Sequence, residues 1–235
     1  MTEAEKVLLL KQDFDDVYEA GKKAEYDAFW DMFQNNGSRT TYTWTFGNAN
    51  IVGELHPKYE IKPTGGIGQM CIYNYNLTTF YNWGFPTSGV TTCLSTFAGC
   101  NNFLGFVDEN GDVIKGKSFF GSDVTDYRYC FQNNYKIEYI FIDVTSNAQL
   151  YTGAFQQCLE LKELKIIGEI KSSGFDVHWS TKLDLESLLG IINALEDKSG
   201  DTSGRSWVCT LGADNLAKLT DAEKAIATEK GWSLI

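Results

Sequence analysis

Two histidines are the first residues whose side chains could move a proton in a reaction. His56 stands before Pro57 in an irregular stretch, and His178 stands between Val177 and Trp179. Neither belongs to the HExxH pattern of zinc proteases or to a Ser-His-Asp arrangement with a recognisable local sequence. We therefore predict no catalytic residue and no enzyme. A triad assembled from distant residues, or a hydrolase site of paired carboxylates, stays open as an alternative.

Six cysteines could bind a metal ion or form disulfides. No two of them form a CxxC pair, and neither histidine lies near a pair, which argues against zinc. Their spacing also differs from the dense disulfide framework of small secreted domains. We therefore predict no metal and no cofactor. The default for such residues is a buried free thiol, and this applies to Cys71, Cys93, Cys100, Cys130, Cys158 and Cys209.

Two short motifs resemble ligand-binding loops only in part. The glycine-rich run Gly65–Gly68 lacks the Lys-Ser/Thr ending of a phosphate-binding loop. The acidic run Asp108–Asp112 lacks the alternating spacing and the distal glutamate of an EF-hand. Both runs are typical of turns, and Asn110-Gly111 favours a tight one.

Composition and charge exclude several classes of partner. The 235 residues are 43% hydrophobic and carry a net charge of −11, which disfavours nucleic acid and anionic membrane surfaces. The sequence has no run of about 18 apolar residues, so we expect no membrane insertion. Its beginning lacks the features of a secretory leader. We expect a cytoplasmic location, or a virion-associated one if a phage encodes the chain.

The beginning of the chain has helical spacing. Residues 4–34 predict a helix, and a heptad-like seam follows its length. The seam residues are Val7, Leu10, Phe14, Val17, Gly21, Ala24 and Ala28. Two interpretations stay open: the helix packs on its own domain, or it forms a homo-oligomer, such as a trimer, through residues 7–28.

The segment after this helix, residues 40–70, is β-rich, and the alternation over Thr41–Phe46 predicts a strand.

An internal repeat occupies the middle of the chain. The pattern is F-x-x-[C/N]-x-x-apolar, with copies starting at Phe97, Phe131 and Phe155 and a degenerate copy at Cys71. Such units bury their apolar sides only by stacking on one another. We therefore predict one short parallel sheet from the segments Leu77–Asn82, Phe103–Asp108, Ile137–Ile142 and Leu161–Ile166. The small fourth residue of each copy predicts an internal ladder, formed by Asn74, Cys100, Asn134 and Cys158.

The last part of the chain has a different pattern. A helical stripe runs from Asp184 to Asp197, and a strand is predicted over residues 207–211. Thr220-Asp221-Ala222-Glu223 is a capping box that opens a helix through Glu229. A last strand over Trp232–Ile235 would complete a terminal cap of the kind repeat proteins require.

The copy that runs through Phe155, Cys158, Leu161, Leu164 and Ile166 resembles the BspA-type leucine-rich repeats of bacterial surface proteins, and similar repeats occur in bacteriophage proteins. The closing segment LTDAEKAIATEKGW is also similar to the ends of some of these proteins. The resemblance implies an adhesive or binding role. The predicted class is α+β, with a short irregular leucine-rich-repeat-like solenoid. Its divisions are a helix (1–36), a β-rich region (37–70), the repeats (71–182) and an α/β cap (183–235).

We therefore predict a non-enzymatic module that binds a protein or glycan partner, such as an adhesion component of a cell surface or a phage tail. A purely structural subunit of a phage or appendage is the alternative, and a hydrolase with an unrecognised site is a third. Solvent-facing positions of the predicted strands form the candidate site: Thr78, Thr79, Tyr81, Leu104, Glu138, Tyr139, Phe141, Lys162, Glu163 and Lys165. Alternatively, the N-terminal region or the insertion Lys115–Asp126 folds over the aromatic residues among them.

Overall fold

The computed structural model of this protein describes residues 23–34, 38–85, 88–145 and 149–235. Short strands and helices alternate with long runs of turns. In chain order the elements are α1 (Lys23–Gln34), β1 (Val52–Leu55), β2 (Asn76–Tyr81), β3 (Gly105–Val107), β4 (Tyr139–Val144), β5 (Glu163–Gly168), β6 (Phe175–Asp176), α2 (Leu185–Ala194), β7 (Trp207–Thr210), α3 (Ala213–Leu216), α4 (Asp221–Glu229) and β8 (Trp232–Leu234).

Within the described residues, the strands form three separate parallel sheets. The first contains β1, β2 and β3 in that order, the second β4 and β5, and the third β6, β7 and β8. The four segments that were predicted to share one sheet are therefore divided between the first two sheets. The prediction of an α+β chain built on a leucine-rich-repeat-like solenoid is wrong.

The segment between β3 and β4 explains the break. After β3 the chain turns back, so that Val113 bridges Val107 in antiparallel fashion and the Ile114 N–H donates to the Phe106 carbonyl at 2.8 Å. Further along, the Phe119 N–H donates to the Phe141 carbonyl, also at 2.8 Å. These bonds use backbone groups through which β3 and β4 would otherwise pair. This insertion therefore separates the two sheets.

Five runs of turns, here called the turn ribbons, lie side by side: residues 42–49, 66–74, 93–100, 126–134 and 150–158. Alternate N–H groups in one ribbon donate to carbonyls of the next, as in Phe97 N to Cys130 O at 2.9 Å. The N–H groups between them close turns within the ribbon, as in Thr45 N to Tyr42 O at 3.0 Å. The predicted strand over Thr41–Phe46 is wrong, because these turns replace it and Trp44 has a φ of 58°.

A ladder of buried polar side chains joins the ribbons, as predicted. Asn74 donates to the carbonyls of Phe46 (2.6 Å) and Cys71 (2.9 Å), so it connects the first ribbon to the second. The thiol of Cys100 donates to the Cys71 carbonyl at 3.0 Å, one ribbon further. The same pattern continues through Asn134 and Cys158. Each rung adds a hydrogen bond to a turn carbonyl that also accepts one from a backbone N–H three residues later, as the Cys71 carbonyl does from the Asn74 N–H at 3.3 Å.

Aromatic rings fill the core beneath the ribbons. The phenylalanines that begin the three repeat copies, Phe97, Phe131 and Phe155, stack in a line with centroids 6.1 and 6.5 Å apart and nearly parallel planes. At one end, Trp30 of α1 is fully buried and meets Phe46 edge-on. The described part of α1 therefore packs on its own chain. The seam residues before position 23 lie outside the described residues, so oligomerisation through residues 7–28 stays a prediction.

The last part of the chain, from residue 183, contains the helices and strands that were predicted. Asp184 caps α2 by accepting a hydrogen bond from the Ser187 N–H at 2.8 Å. The capping box of Thr220 and Glu223 is formed at the start of α4. The strands β7 and β8 are also present, and the structure adds the short helix α3. None of the helices in the described part of the chain is long and apolar enough to span a bilayer.

Candidate interaction surfaces

The sequence-predicted site is spread over two of the sheets. Its members on β2 and beside β3 are half-buried, apart from Leu104, which is 42% exposed. Three of its four charged members near the other sheet pair with one another or with the insertion. Lys162 contacts Glu138 at 2.7 Å, and Lys115 contacts Glu163. The structure therefore divides the ten residues between two regions.

Tyr139 does not face solvent, and this part of the prediction is wrong. Its side chain is only 1% exposed, and its hydroxyl accepts a hydrogen bond from the Gly116 N–H at 2.9 Å. Lys115 lies above its ring, with the ammonium nitrogen 5.3 Å from the ring centre. The insertion folds over this ring, as the alternative interpretation proposed. The neighbouring Phe141 is half-buried and packs against the core.

A groove lies beside Phe141, where the insertion meets the second sheet. It has a volume of about 400 Å³ and is lined by Phe141 and Ile167 together with Lys117, Asp143 and several serines and glycines. Ile167 is 45% exposed. Pockets of this size with an apolar floor and a few polar groups are the common form of small-ligand sites. The groove is therefore one candidate site, and it contains one residue predicted from sequence.

Two predicted residues, Thr79 and Tyr81, come together with His56 on the first sheet. The His56 ring stacks on Tyr81 with centroids 4.2 Å apart. Glu54 binds the His56 Nδ1 at 2.5 Å and accepts a hydrogen bond from the Thr79 hydroxyl at 3.1 Å. A carboxylate-paired imidazole can act as a general base. The sequence signal was the acid two residues before the histidine.

His178 repeats this arrangement on the third sheet. Its Nδ1 lies 2.6 Å from a carboxylate oxygen of Asp176, again two residues earlier. Asp176 also adds to the effect of burial in raising the pKa of the nearby Cys209 thiol to about 12. Both histidines are thus held by a local acid at the end of a strand. The described residues contain no cluster of three or more histidine, cysteine or acidic side chains placed to hold a metal ion.

The third candidate surface is formed by the turn ribbons. One side of each ribbon packs on the core, so its exposed side chains share the other side. This side is here called the turn face, and it includes Tyr75, which follows the second ribbon. Its exposed and half-buried side chains include the aromatic residues Trp44, Tyr73, Tyr75 and Tyr129 and the amides Asn48, Gln69, Gln132, Asn133, Gln156 and Gln157.

Three of the aromatic residues of the turn face, Trp44, Tyr73 and Tyr129, have an unusual backbone conformation. Each ribbon has two residues with positive φ, four positions apart, and non-glycine residues rarely adopt this conformation. Gly99 and Gly153 occupy two such positions. A Cβ atom on Gly99 would lie 2.9 Å from the Tyr73 ring, and one on Gly153 would lie 2.6 Å from the Tyr129 ring. Each tyrosine ring therefore lies against a glycine of the next ribbon.

Charge is almost absent from the ribbons. Of the 20 Lys and Arg and 31 Asp and Glu in the chain, only Asp126 and Arg128 fall within them. These two pair with each other through nitrogen–oxygen contacts of 2.9 and 2.8 Å. Burial raises the pKa of Asp126, but the hydrogen bonds and charge of Arg128 outweigh this effect and lower the pKa overall.

Sequence reasoning missed the turn face because it treated the ribbons as entrances to strands. Two signals were present in the sequence: Asn, Gln and Gly recur at equivalent places of the repeat, and charged residues avoid it. Comparisons with protein-family models, with curated proteins and with solved structures found no match to this chain. The function must therefore be argued from the surfaces themselves.

Proposed function

We propose that this protein is a non-enzymatic binding module that receives its partner on the turn face. One observation carries the proposal: Trp44, Tyr73 and Tyr129 place exposed rings at positive-φ positions, with side chains 52%, 46% and 37% exposed. Asn and Gly are favoured there, and they occupy the equivalent places at Asn48, Asn133, Gly99 and Gly153.

An exposed ring in a disfavoured conformation is costly to stability. Backbone of this kind costs about 1–3 kcal/mol per residue and is found mainly where function needs it. Large aromatic residues are also enriched where proteins bind partners. Because the ribbons hydrogen-bond to one another, the rings are held in place before a partner arrives, which reduces the entropy lost on binding. The resemblance of the Phe155 copy to BspA-type repeats supports the same role.

Replacing Tyr73 and Tyr129 with Asn tests the proposal. Asn removes each ring but tolerates positive φ, so the melting temperature should stay the same or rise. The immobilised chain should retain a component of a cell extract from its source organism. The double variant should retain at least tenfold less of that component. Leu104→Asn is the matched control, because it removes an exposed apolar side chain on the strand side. Equal retention by the wild type and the double variant would contradict the proposal.

The groove beside Phe141 is a second candidate surface for the same function. Its apolar floor between Lys117 and Asp143 favours it, because a few polar groups around an apolar pocket can orient a ligand. Ile167→Asp would place a charge on this floor. If that variant loses retention while Tyr73→Asn and Tyr129→Asn keep it, the partner binds in the groove and the turn face is excluded.

A further inference from the structure

We infer that the partner of the turn face is an uncharged glycan; this inference rests on the proposed function of that face. The near absence of charged residues from the ribbons favours an uncharged partner. The chain carries a net charge of −11, but the ribbons contain only the mutually paired Asp126 and Arg128. A phosphate, sulfate or carboxylate ligand needs cations, and Arg128 is already paired with Asp126 while Arg39, beside the first ribbon, already donates to Thr45 at 2.9 Å.

The exposed tyrosine rings of the turn face can bind a sugar ring. Tyr73 and Tyr75 stack on each other with centroids 6.2 Å apart and an interplanar angle of 30°, and both are about half exposed. The face of an aromatic ring carries partial negative charge. The C–H groups on one side of a pyranose ring carry the opposite partial charge and present a flat apolar surface. A sugar ring can therefore lie on an exposed tyrosine.

The Asn and Gln side chains of the turn face can hydrogen-bond to sugar hydroxyls. Sugar hydroxyls both donate and accept hydrogen bonds, and a side-chain amide does the same without charge. Asn48 is exposed beside the first ribbon's tryptophan, and Gln132 and Gln156 bond to each other at 2.6 Å across neighbouring ribbons. Amides thus lie among the rings along the ribbons. An ordinary protein interface would combine an apolar centre with a rim that includes charges.

The ribbons also suit a polymer. The five of them are joined by repeated backbone hydrogen bonds, so equivalent positions recur from one ribbon to the next. Trp44, Tyr73 and Tyr129 belong to the first, second and fourth ribbons. An extended glycan that crosses the ribbons would meet several rings in succession. Binding should therefore strengthen with the length of the oligosaccharide.

A glycan panel tests the inference. The full chain would be applied to immobilised neutral polysaccharides (amylose, β-1,3-glucan, mannan and galactan) and to acidic ones (alginate and heparin). We expect binding to at least one neutral polymer, unchanged by 0.5 M NaCl because no charges are involved. Tyr73→Asn with Tyr75→Asn should weaken it at least tenfold, whereas Leu104→Asn should leave it unchanged. The melting temperature of each variant would show that it is folded.

Three results would overturn the inference: binding to the acidic polymers alone, binding that salt abolishes, or no binding to any neutral polymer. The extract experiment distinguishes this failure from failure of the proposed function. If the wild type binds none of the neutral polymers, but retains a protein from the extract that the Tyr73→Asn, Tyr129→Asn double variant loses, the turn face is a binding surface with a protein partner. If nothing is retained through that face, both proposals fail.

Discussion

Buried amides are the residues whose role follows most directly from type and position. Asn74 is fully buried and uses both ends of its side chain. Its nitrogen donates to the carbonyls of Phe46 and Cys71, and its oxygen accepts from the Ile51 N–H at 3.0 Å. A hydroxyl or thiol could not satisfy three backbone groups in this way. The amide therefore joins two ribbons and the segment that leads into β1.

Replacing Asn74 with Ala should destabilise the chain by about 3 kcal/mol, because it removes three buried hydrogen bonds and takes away the acceptor of the Ile51 N–H. Urea unfolding followed by circular dichroism would measure the change. Asn102→Ala is the control, because the Asn102 amide donates to the Tyr75 carbonyl at the surface, where water can replace it. That control should cost less than about 0.5 kcal/mol. Equal effects from the two substitutions would contradict the role given to Asn74.

At the scale of elements, the insertion between β3 and β4 decides which side chains are exposed. It covers Tyr139 and pairs with the backbone of Phe141, and it replaces the strand pairing that would have joined two sheets. In the sequence, this segment is only a longer interval between two repeat copies. Its effect depends on where it folds, which local spacing does not specify.

Tyr139→Ser should therefore lower the free energy of unfolding by about 3–5 kcal/mol, as expected for loss of a buried aromatic ring. Tyr139→Phe keeps the ring and removes only the hydrogen bond from the Gly116 N–H, so it should cost about 1 kcal/mol. Phe141→Ser should cost less than Tyr139→Ser, because Phe141 is half-buried. Chemical denaturation of the three variants would test this order. A Tyr139→Ser variant as stable as the wild type would show that the ring is not part of the core.

Across the whole molecule, the six cysteine thiols are buried in the interior, where packing excludes water from them. All six are free and buried, as predicted, and they extend from the second ribbon to β7. Burial raises the pKa of Cys71 and Cys93 well above the usual value, and it raises the pKa of Cys100 to about 12. These thiols stay neutral in the folded chain at pH values where an unfolded chain would ionise them.

Stability should therefore fall on the alkaline side. A thiol whose folded-state pKa is raised contributes its full stability below the ordinary pKa of about 9. This contribution is lost as the pH rises towards the folded value, with a slope of up to about 1.4 kcal/mol per pH unit for each thiol. Urea unfolding between pH 8 and pH 10.5 would measure the loss. Cys100→Ala should make the free energy of unfolding fall less steeply with pH, because one thiol fewer ionises on unfolding. A free energy of unfolding that does not change between pH 8 and pH 10.5 would contradict this prediction.

Residue types and their spacing were enough to predict several local features of this protein. The repeated Asn or Cys at the fourth position of each copy predicted the ladder, because a small polar group at a regular interval must find a partner in a packed core. The capping box at Thr220 and the helical stripe after Asp184 predicted the C-terminal helices. These features depend on residues close in sequence or on a strict period, which can be identified without coordinates.

The pairing of the strands and the exposure of each surface depend on contacts between segments distant in sequence. Local spacing predicts a strand but does not select its neighbour, so the insertion could divide the sheet that four similar segments were predicted to share. The exposure of Tyr73 and the burial of Tyr139 likewise depend on what packs beside each ring. Burial is a property of the whole arrangement of chain segments, and a tyrosine on the outward side of a predicted strand can therefore be covered by another segment.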